Sequence, residues 1–249
     1  MKVFSVIGVH HSGKTTIIEN VIRELRKRGY SVGSVKEIHY EKFAMDTEGT
    51  NTHRHRMAGS QLVTARGLYE TDILFQEKLS MDDILKFYSH DYVVLEGVTD
   101  VNAPKIIAAH TEEEILERMD GLTFAISGII SNSIREFKGL PVINPMEDIE
   151  KLVDLIEQKV YERLPDFDRN CCGYCGFSCR ELGARILKGE SERKDCILDR
   201  ANIKLQIGGR DIKMVPFVQN ILANTVLGIV KELKGYEEGK EIRIEISRK

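Results

Sequence analysis

The sequence predicts an α/β fold in which a mostly parallel sheet is covered by helices on both faces. Short apolar runs of strand type alternate with amphipathic helical segments along the first 160 residues. A Gly-x4-Gly-Lys-Thr motif at residues 8–15 directly follows the apolar run at residues 3–7. Ile17, Val21 and Leu25 then fall on one helical face. A strand, this motif and a helix in succession indicate a P-loop NTPase.

The remaining elements are predicted from local patterns. Apolar runs indicate strands, helical periodicity with capping residues indicates helices, and the polar stretch at residues 41–59 reads as a long loop. The predicted strands are residues 3–7, 30–38, 62–65, 91–97, 105–109, 122–128 and 141–143. The predicted helices are one that follows the P-loop and ends at Gly29, a short one from the capping box at Ser80 to about Tyr88, and residues 111–119 and 149–160.

Each residue type in the P-loop has a physical role. Gly8 and Gly13 let the backbone curl so that its N–H groups can cradle phosphate oxygens. Lys14 can place a positive charge at the β- and γ-phosphates, and the hydroxyl of Thr15 can coordinate Mg²⁺. The helix N-terminus that follows favours the same anion. The predicted nucleotide-binding residues are Gly8, His11 and Ser12 through their backbone, Gly13, Lys14, Thr15 and Thr16.

A P-loop also needs an acid for Mg²⁺ or for the attacking water. Glu96 ends the strand at residues 91–97, where α/β sheets bind ligands, whereas Asp91 begins that strand and should lie at the far end. Glu96 is therefore predicted to anchor Mg²⁺ or position water, together with Lys14 as the catalytic pair. Asp46 and Asp100 are loop candidates for the same task, and Asp46 is predicted to contact the nucleotide.

The base of the nucleotide is left open by the residues themselves. The Asn/Thr-Lys-x-Asp signature of many GTPases does not occur in the chain. His53 and His55 are spaced for one face of a strand and could bind a metal, but a solvated loop is the favoured explanation for them.

All five cysteines fall between residues 171 and 196, which in a cytosolic chain points to metal rather than to disulfides. Their spacing is Cys172-x2-Cys175-x3-Cys179-x16-Cys196, with Cys171 left over. Four soft thiolates suit either a [4Fe–4S] cluster or Zn²⁺. Three thiolates within eight residues favour the cluster, with Zn²⁺ as the alternative.

Composition limits the remaining possibilities. The chain has 249 residues, 42% of them hydrophobic, and a formal net charge of −3. This charge offers no field for bulk nucleic-acid binding, and no apolar run has membrane-spanning length. A strand-like segment follows Met1-Lys2 without a signal peptide, so a cytoplasmic protein is expected.

Three domains are predicted. Residues 1–166 form the P-loop domain, residues 167–200 a cysteine-rich metal module, and residues 201–249 a small subdomain. In the last of these, alternating apolar residues flank Gly208-Gly209 as a hairpin, residues 217–233 form an amphipathic helix, and residues 242–246 form a final strand.

Residues 1–165 resemble the molybdopterin-guanine dinucleotide biosynthesis protein B (MobB) family. The motifs are the P-loop, residues 46–52 leading to Ala58-Gly59, Leu95-Glu96-Gly97, Pro104-Lys105-Ile106 and residues 124–128. The resemblance implies a homodimer that binds and weakly hydrolyses GTP with Mg²⁺, and that assists the guanylyltransferase attaching GMP to molybdopterin. Residues 172–196 resemble [4Fe–4S] domains of the corrinoid iron–sulfur protein type, with the gap before Cys179 one residue shorter.

The leading functional hypothesis is therefore a GTP-binding accessory protein of molybdenum or tungsten cofactor maturation. One alternative is a nucleotide-dependent metallochaperone for nickel or iron–sulfur clusters, which would use His53, His55 or the cysteines. A second is an ATP-dependent small-molecule kinase, because P-loops also serve phosphoryl transfer. A third is an electron-transfer or scaffold protein with a regulatory P-loop.

Overall fold

The structure, a computed structural model, describes residues 1–40, 43–165, 175–196, 203, 205–208, 210–212, 214, 216–238, 240, 242–244 and 246. It divides into two compact units, Met1–Arg193 and Lys194–Lys249. The predicted domain boundaries at 166/167 and 200/201 both lie outside the described residues, so the three-domain division stays a prediction.

The described part of the chain contains eleven strands and seven α-helices. The strands are β1 (Lys2–Gly8), β2 (Val32–Lys36), β3 (Leu62–Arg66), β4 (Thr71–Phe75), β5 (Tyr92–Glu96), β6 (Lys105–Ala108), β7 (Thr123–Ser127), β8 (Glu136–Phe137), β9 (Leu140–Pro141), β10 (Leu205–Ile207) and β11 (Arg210–Ile212). The helices are α1 (Lys14–Lys27), α2 (Asn51–Met57), α3 (Met81–Leu85), α4 (Glu112–Arg118), α5 (Ile149–Lys159), α6 (Cys179–Lys188) and α7 (Pro216–Val230).

The core of the first unit is a five-stranded sheet with strand order β2-β5-β1-β6-β7. All four strand pairs in it are parallel, which confirms the predicted sheet type. The central strand β1 has the pattern of a strand covered on both faces, because residues 3–7 are all buried. β1 lies between β5 and β6; the chain crosses from β1 toward one edge of the sheet and from β6 toward the other. Open α/β sheets bind ligands at the carboxyl ends of strands where the direction of crossing changes in this way.

Helices cover both faces of this sheet, as predicted. The crossover from β1 through α1 runs toward β2, whereas the crossover from β6 through α4 runs the opposite way, toward β7. Right-handed crossovers in opposite directions place their helices on opposite faces. α5 contacts α1, while Ile115 of α4 packs with Ile7, Ile107 and Ile126.

Three local predictions are corrected by the structure. The polar stretch at residues 41–59 is not loop throughout, because Thr50 caps α2 by accepting a hydrogen bond from the backbone N–H of His53. The strand predicted at residues 62–65 is β3, but it pairs with β4 in a separate antiparallel hairpin. The strand predicted at residues 141–143 overlaps β9 only at Pro141, and Val142 adds only an isolated bridge to Ile126.

One further helix, α6, was not predicted in the cysteine-rich segment. Ser178 and Glu181 form a capping box at its start, and Gly189 ends it in a left-handed conformation.

The second unit contains the predicted hairpin, formed by β10 and β11, and the predicted helix, which is α7. The strand predicted at residues 242–246 is absent from the described residues of that segment, Ile242, Arg243, Ile244 and Ile246. Among the described residues, no helix combines the length and apolar character that crossing a lipid bilayer requires.

An ion-pair network joins the end of α1 to α5. The guanidinium of Arg28 donates to Glu24 at 3.0 Å, to Asp154 at 2.7 Å and to Glu157 at 2.8 Å. The hydrogen bond from Arg28 is the main cause that lowers the pKa of Glu24 below its usual 4.5, although burial opposes it. A lowered carboxyl pKa stabilises the fold above pH 4.5, and the contribution is lost as the pH falls through the folded-state value.

Arg28→Met is therefore expected to lower the free energy of unfolding by about 1 kcal/mol at pH 7 and to weaken its dependence on acid. Urea unfolding at intervals between pH 6 and pH 3 measures both effects. An equally steep loss of stability in the parent and in Arg28→Met would contradict this account of the network.

Candidate nucleotide-binding site

The P-loop connects the carboxyl end of β1 to the first turn of α1. Gly13 adopts a left-handed conformation, with φ of 95°, at the N-cap of α1, and the backbone N–H of Ile17 donates to its carbonyl. His11 is also left-handed, with φ of 58°, which is uncommon outside glycine. Alternating backbone conformations of this kind turn successive N–H groups toward one concave side, the arrangement that binds anions.

The ends of β6 and β7 pack closely against the P-loop. A Cβ at Gly8 would overlap the carbonyl oxygen of Ala108, at the end of β6, and a Cβ at Gly128 would overlap the carbonyl oxygen of Ser12. Ser12 is fully buried, and its hydroxyl donates to the carbonyl of Val9 at 2.9 Å. The loop therefore depends on glycine at both contact points.

Lys14 lies folded back over the loop. Its ammonium donates to the carbonyls of Gly8, at 3.1 Å, and of Val9. Burial lowers the pKa of Lys14; the nearby carboxylate of Glu96 opposes this shift, and Lys36 and Arg118 add to it. Lys14 must exchange these carbonyls for phosphate oxygens when an anion binds.

Glu96 connects the P-loop to β2. Its Oε1 accepts from the hydroxyl of Thr15 at 3.1 Å and pairs with the ammonium of Lys36 at 2.9 Å. The Glu96 side chain is only 13% exposed, so its charge is held by these two partners rather than by bulk water. The carboxylate of Glu96 and the hydroxyl of Thr15 are in contact beside the P-loop. Both groups are oxygen ligands of the kind that Mg²⁺ prefers.

A cavity of about 890 Å³ opens over these residues. This volume lies in the range of ligand sites and can hold a nucleoside phosphate. The carboxyl ends of the three strands β1, β2 and β5 meet at the cavity, as expected for an open α/β sheet. It is lined by Ile7, Gly8, His10, His11, Gly13, Lys14, Thr15, Thr16, Lys36, Glu37, Ile38, His39, Tyr40, Glu96, Gly97, Thr99 and Arg118.

Most of the predicted nucleotide-binding residues meet at this cavity: Gly8, His11, Gly13, Lys14, Thr15, Thr16 and Glu96. Ser12 lies beneath the loop instead. Asp46 is not among the residues that line the cavity. Its carboxylate accepts from the hydroxyls of Thr50 and Thr52, both at 2.8 Å. Its pKa is lowered, chiefly by the Thr52 hydrogen bond. A nucleotide contact from Asp46 stays a prediction.

Sequence reasoning missed three residues of the site. Lys36 ends β2, which lies next to the strand of Glu96. Its position at the end of a predicted strand was a usable signal, because the carboxyl ends of parallel strands lie at the same edge of the sheet. Arg118, the last residue of α4, also lines the cavity. His110 supports the P-loop from outside, with Nε2 at 3.2 Å from the carbonyl oxygen of His11. Neither Arg118 nor His110 had a local sequence signal.

The predicted metal ligands are only partly described. Cys172 lies outside the described residues, Cys175 is half-buried, and Cys179 and Cys196 are buried. Cys175 and Cys179 belong to the first unit and Cys196 to the second. Within the described part of the chain, no group of three or more His, Cys, Asp or Glu side chains could hold a metal ion. The four-cysteine site therefore stays a prediction.

Comparison with known proteins gives consistent matches. The family model of molybdopterin guanine dinucleotide synthesis protein B (MobB) matches residues 3–128. A Methanocaldococcus jannaschii protein, provisionally named a molybdopterin-guanine dinucleotide biosynthesis adapter protein, is 30% identical over 99% of this chain and 97% of its own length. A Bacillus subtilis protein with the same provisional name is 26% identical over 57% of this chain and 84% of its own length.

Solved structures give the same fold. A crystal structure of Bacillus subtilis MobB aligns with a TM-score of 0.55 at 22% identity, and covers 66% of this chain and 100% of that one. A second structure of that protein gives a TM-score of 0.51 at 20% identity. About a third of this chain thus has no counterpart in the Bacillus subtilis structure, whereas the Methanocaldococcus jannaschii protein matches nearly all of it.

Proposed function

The chain belongs to the MobB family, and from this premise we propose that it is a GTP-binding adapter protein of molybdenum or tungsten cofactor maturation. In this role it binds GTP with Mg²⁺, hydrolyses GTP slowly, and acts as a cytoplasmic homodimer beside the guanylyltransferase that attaches GMP to molybdopterin. GTP, the dimer and the guanylyltransferase are inferred from the family resemblance. The nucleotide site is inferred from the geometry of this chain.

One observation carries the nucleotide-binding proposal. Lys14, Thr15 and Glu96 meet at the mouth of the P-loop, where Glu96 accepts from Thr15 at 3.1 Å. A cationic ammonium, a helix N-terminus and an acid at one cavity are the parts that nucleoside triphosphate binding requires. Glu96 and Thr15 would hold Mg²⁺, which would neutralise charge on the phosphates. Gly8, Gly13 and the intervening backbone would hold the phosphates themselves.

Titration of the full chain with GTP, ATP and GMP, each with and without Mg²⁺, tests the nucleotide part of the proposal. We expect GTP to bind more tightly than ATP, and Mg²⁺ to strengthen GTP binding more than GMP binding. A preference for ATP would contradict the proposed substrate. The adapter part is tested by adding the chain to purified guanylyltransferase and measuring formation of the guanine dinucleotide, with Lys14→Ala as the matched inactive variant.

The Lys36 ammonium and the Thr15 hydroxyl donate to the same oxygen of Glu96, so Lys36 would compete with Mg²⁺ for that oxygen. Lys36→Met removes this competing cation while keeping much of the side-chain volume. We expect the affinity for divalent cation without nucleotide to rise about fivefold, the effect of about 1 kcal/mol of ion-pair energy. Mn²⁺, used as a paramagnetic substitute for Mg²⁺, makes the binding measurable by electron paramagnetic resonance.

Lys86→Met is the matched control, because the Lys86 ammonium pairs with Asp83 at 2.8 Å and neither residue lines the cavity. This control should leave Mn²⁺ affinity as in the parent. Equal Mn²⁺ affinity of the parent and Lys36→Met would mean that Lys36 does not compete for the cation position.

The cysteines of residues 172–196 are proposed to hold a [4Fe–4S] cluster, with Zn²⁺ as the alternative. The described donors fit a thiophilic group chemically. Cys179 is the first residue of α6 and Ser178 is its N-cap, and a helix N-terminus favours the thiolate that metals bind. When bound, a cluster would supply electron-transfer chemistry. Iron, sulfide and zinc analysis after anaerobic expression separates the two metals.

A further inference from the structure

His110 lies in the short connection between β6 and α4, and its ring contacts the P-loop. Its Nε2 lies 3.2 Å from the carbonyl oxygen of His11. The preceding residue, Ala109, is fully buried; its N–H donates to the carbonyl of Ser127 at 3.2 Å, and its carbonyl accepts from Ile130 at 2.9 Å. The backbone that carries the ring is therefore held in place by hydrogen bonds on both sides.

Glu114, in the first turn of α4, orients the ring. Its Oε2 accepts from the backbone N–H of His110 at 2.8 Å and lies 3.3 Å from Nδ1 of the same residue. The backbone hydrogen bond from His110 is the main cause that lowers the pKa of Glu114, although burial opposes it, so the carboxyl is ionised at neutral pH. A carboxylate and a carbonyl are both acceptors, so the ring can donate to both only when each of its nitrogens carries a proton.

The contact with His110 fixes one peptide group of the P-loop. His11 has a left-handed φ of 58°, which a residue other than glycine keeps only where its surroundings hold it. The His11 carbonyl and the Ser12 N–H belong to the same trans peptide, so they point in opposite directions. The Ser12 N–H faces the carbonyl of Val9, which also accepts from the Lys14 ammonium. While His110 holds the carbonyl, this peptide therefore turns its N–H toward the side of the loop where Lys14 lies.

We propose that His110 is a positioning residue of the nucleotide site, which as an imidazolium paired with Glu114 holds the His11–Ser12 peptide with its N–H toward the phosphates. Because the donor is charged, its hydrogen bond to the carbonyl is stronger than one between neutral groups. The bond also polarises the peptide and so strengthens its N–H as a donor. The inference rests on the proposed nucleotide site, and it adds to that site two residues from outside the P-loop motif.

His110→Leu is expected to weaken the binding of inorganic triphosphate and of GTP about tenfold, the effect of losing one charge-assisted hydrogen bond. Leucine removes both ring nitrogens but keeps an apolar side chain at a position that is 32% exposed. His110→Gln supplies a neutral amide donor, so both ligands should bind within about threefold of the parent. Loss of packing alone would not produce this recovery by glutamine.

Glu114→Gln tests the charge on the ring. The glutamine oxygen can still accept from the backbone N–H of His110, but it carries no negative charge beside Nδ1. We expect both ligands to bind about threefold more weakly to this variant, and the same substitution to have no effect in the His110→Leu background. Such coupling would identify the pair of side chains, rather than either one alone, as the support of the P-loop.

The experiment titrates the full chain with inorganic triphosphate and with GTP, at fixed Mg²⁺, by isothermal calorimetry. Triphosphate has no base, so it reports the phosphate contacts alone. Urea unfolding of each variant shows whether the fold is retained. His55→Leu is the matched control, because His55 is exposed on α2 and does not line the cavity. Its affinities for both ligands should equal those of the parent.

Three results would overturn the proposal, and they can be told apart. If the parent binds neither triphosphate nor GTP, the proposed nucleotide site and the role of His110 fail together. If the parent binds triphosphate but His110→Leu binds it as tightly, the site stands and only His110 loses its role. If His110→Leu and His110→Gln weaken binding equally, the ring contributes packing rather than a hydrogen bond.

Discussion

Lys14→Ala is expected to weaken GTP binding about a hundredfold or more. Lys14 lines the cavity, and in the proposed site its ammonium would bind the β- and γ-phosphates. Hydrogen bonds between charged groups contribute about 1.5–3 kcal/mol each. Part of this energy is offset, because Lys14 must give up its hydrogen bonds to the carbonyls of Gly8 and Val9. Isothermal titration with GTP at fixed Mg²⁺ measures the loss.

The matched control is Lys27→Ala, at the other end of α1. The Lys27 ammonium pairs with Glu24 and Glu150, away from the cavity, so GTP affinity should stay as in the parent. If Lys14→Ala bound GTP as tightly as the parent, the nucleotide would have to bind elsewhere, and the proposed site would be wrong.

Gly128→Ala is expected to destabilise the first unit by about 3 kcal/mol and to abolish tight nucleotide binding. Gly128 ends β7 with φ of 88° and ψ of −157°, a region that only glycine occupies readily. A Cβ there would also overlap the carbonyl oxygen of Ser12, beneath the P-loop. Backbone strain and overlap with another backbone atom cost about 1–3 kcal/mol each.

Gly139→Ala separates these two causes. Gly139 also has a positive φ, of 80°, but a Cβ there would meet open space. This control should lose only about 1 kcal/mol and should bind GTP like the parent. Urea unfolding and GTP titration of both variants give the comparison. Similar stability losses in the two variants would mean that the contact between Gly128 and Ser12 does not hold the P-loop.

The parts of the fold predicted correctly are those with strong local patterns. β1, the P-loop and α1 follow from an apolar run, fixed glycines and one apolar helix face. α2 was missed because none of its residues is buried, so it has no apolar periodicity; the cap at Thr50 was the available signal. In the segment 242–246, alternating isoleucines suggested a strand, but the described residues there are irregular. The alternation of apolar residues does not by itself specify a neighbouring strand with which the segment could pair.

The residues of the site that could be predicted are those that are close together in the sequence or that end strands at the same edge of the sheet. Glu96 was predicted because it ends an apolar strand, and open α/β sheets bind ligands at the carboxyl ends of their strands. Lys36 and Arg118 come from other elements and reach the cavity only through the packing of the whole unit.

The ion pair between Lys36 and Glu96 has a consequence for the order of binding. In the free protein, the Lys36 ammonium is already paired with Glu96. A metal ion without nucleotide would have to displace this ammonium, so we expect it to bind weakly. In the proposed site, triphosphate oxygens would give that ammonium a second partner. We therefore expect the nucleotide to bind as its magnesium complex, with Mg²⁺ and the nucleotide released together.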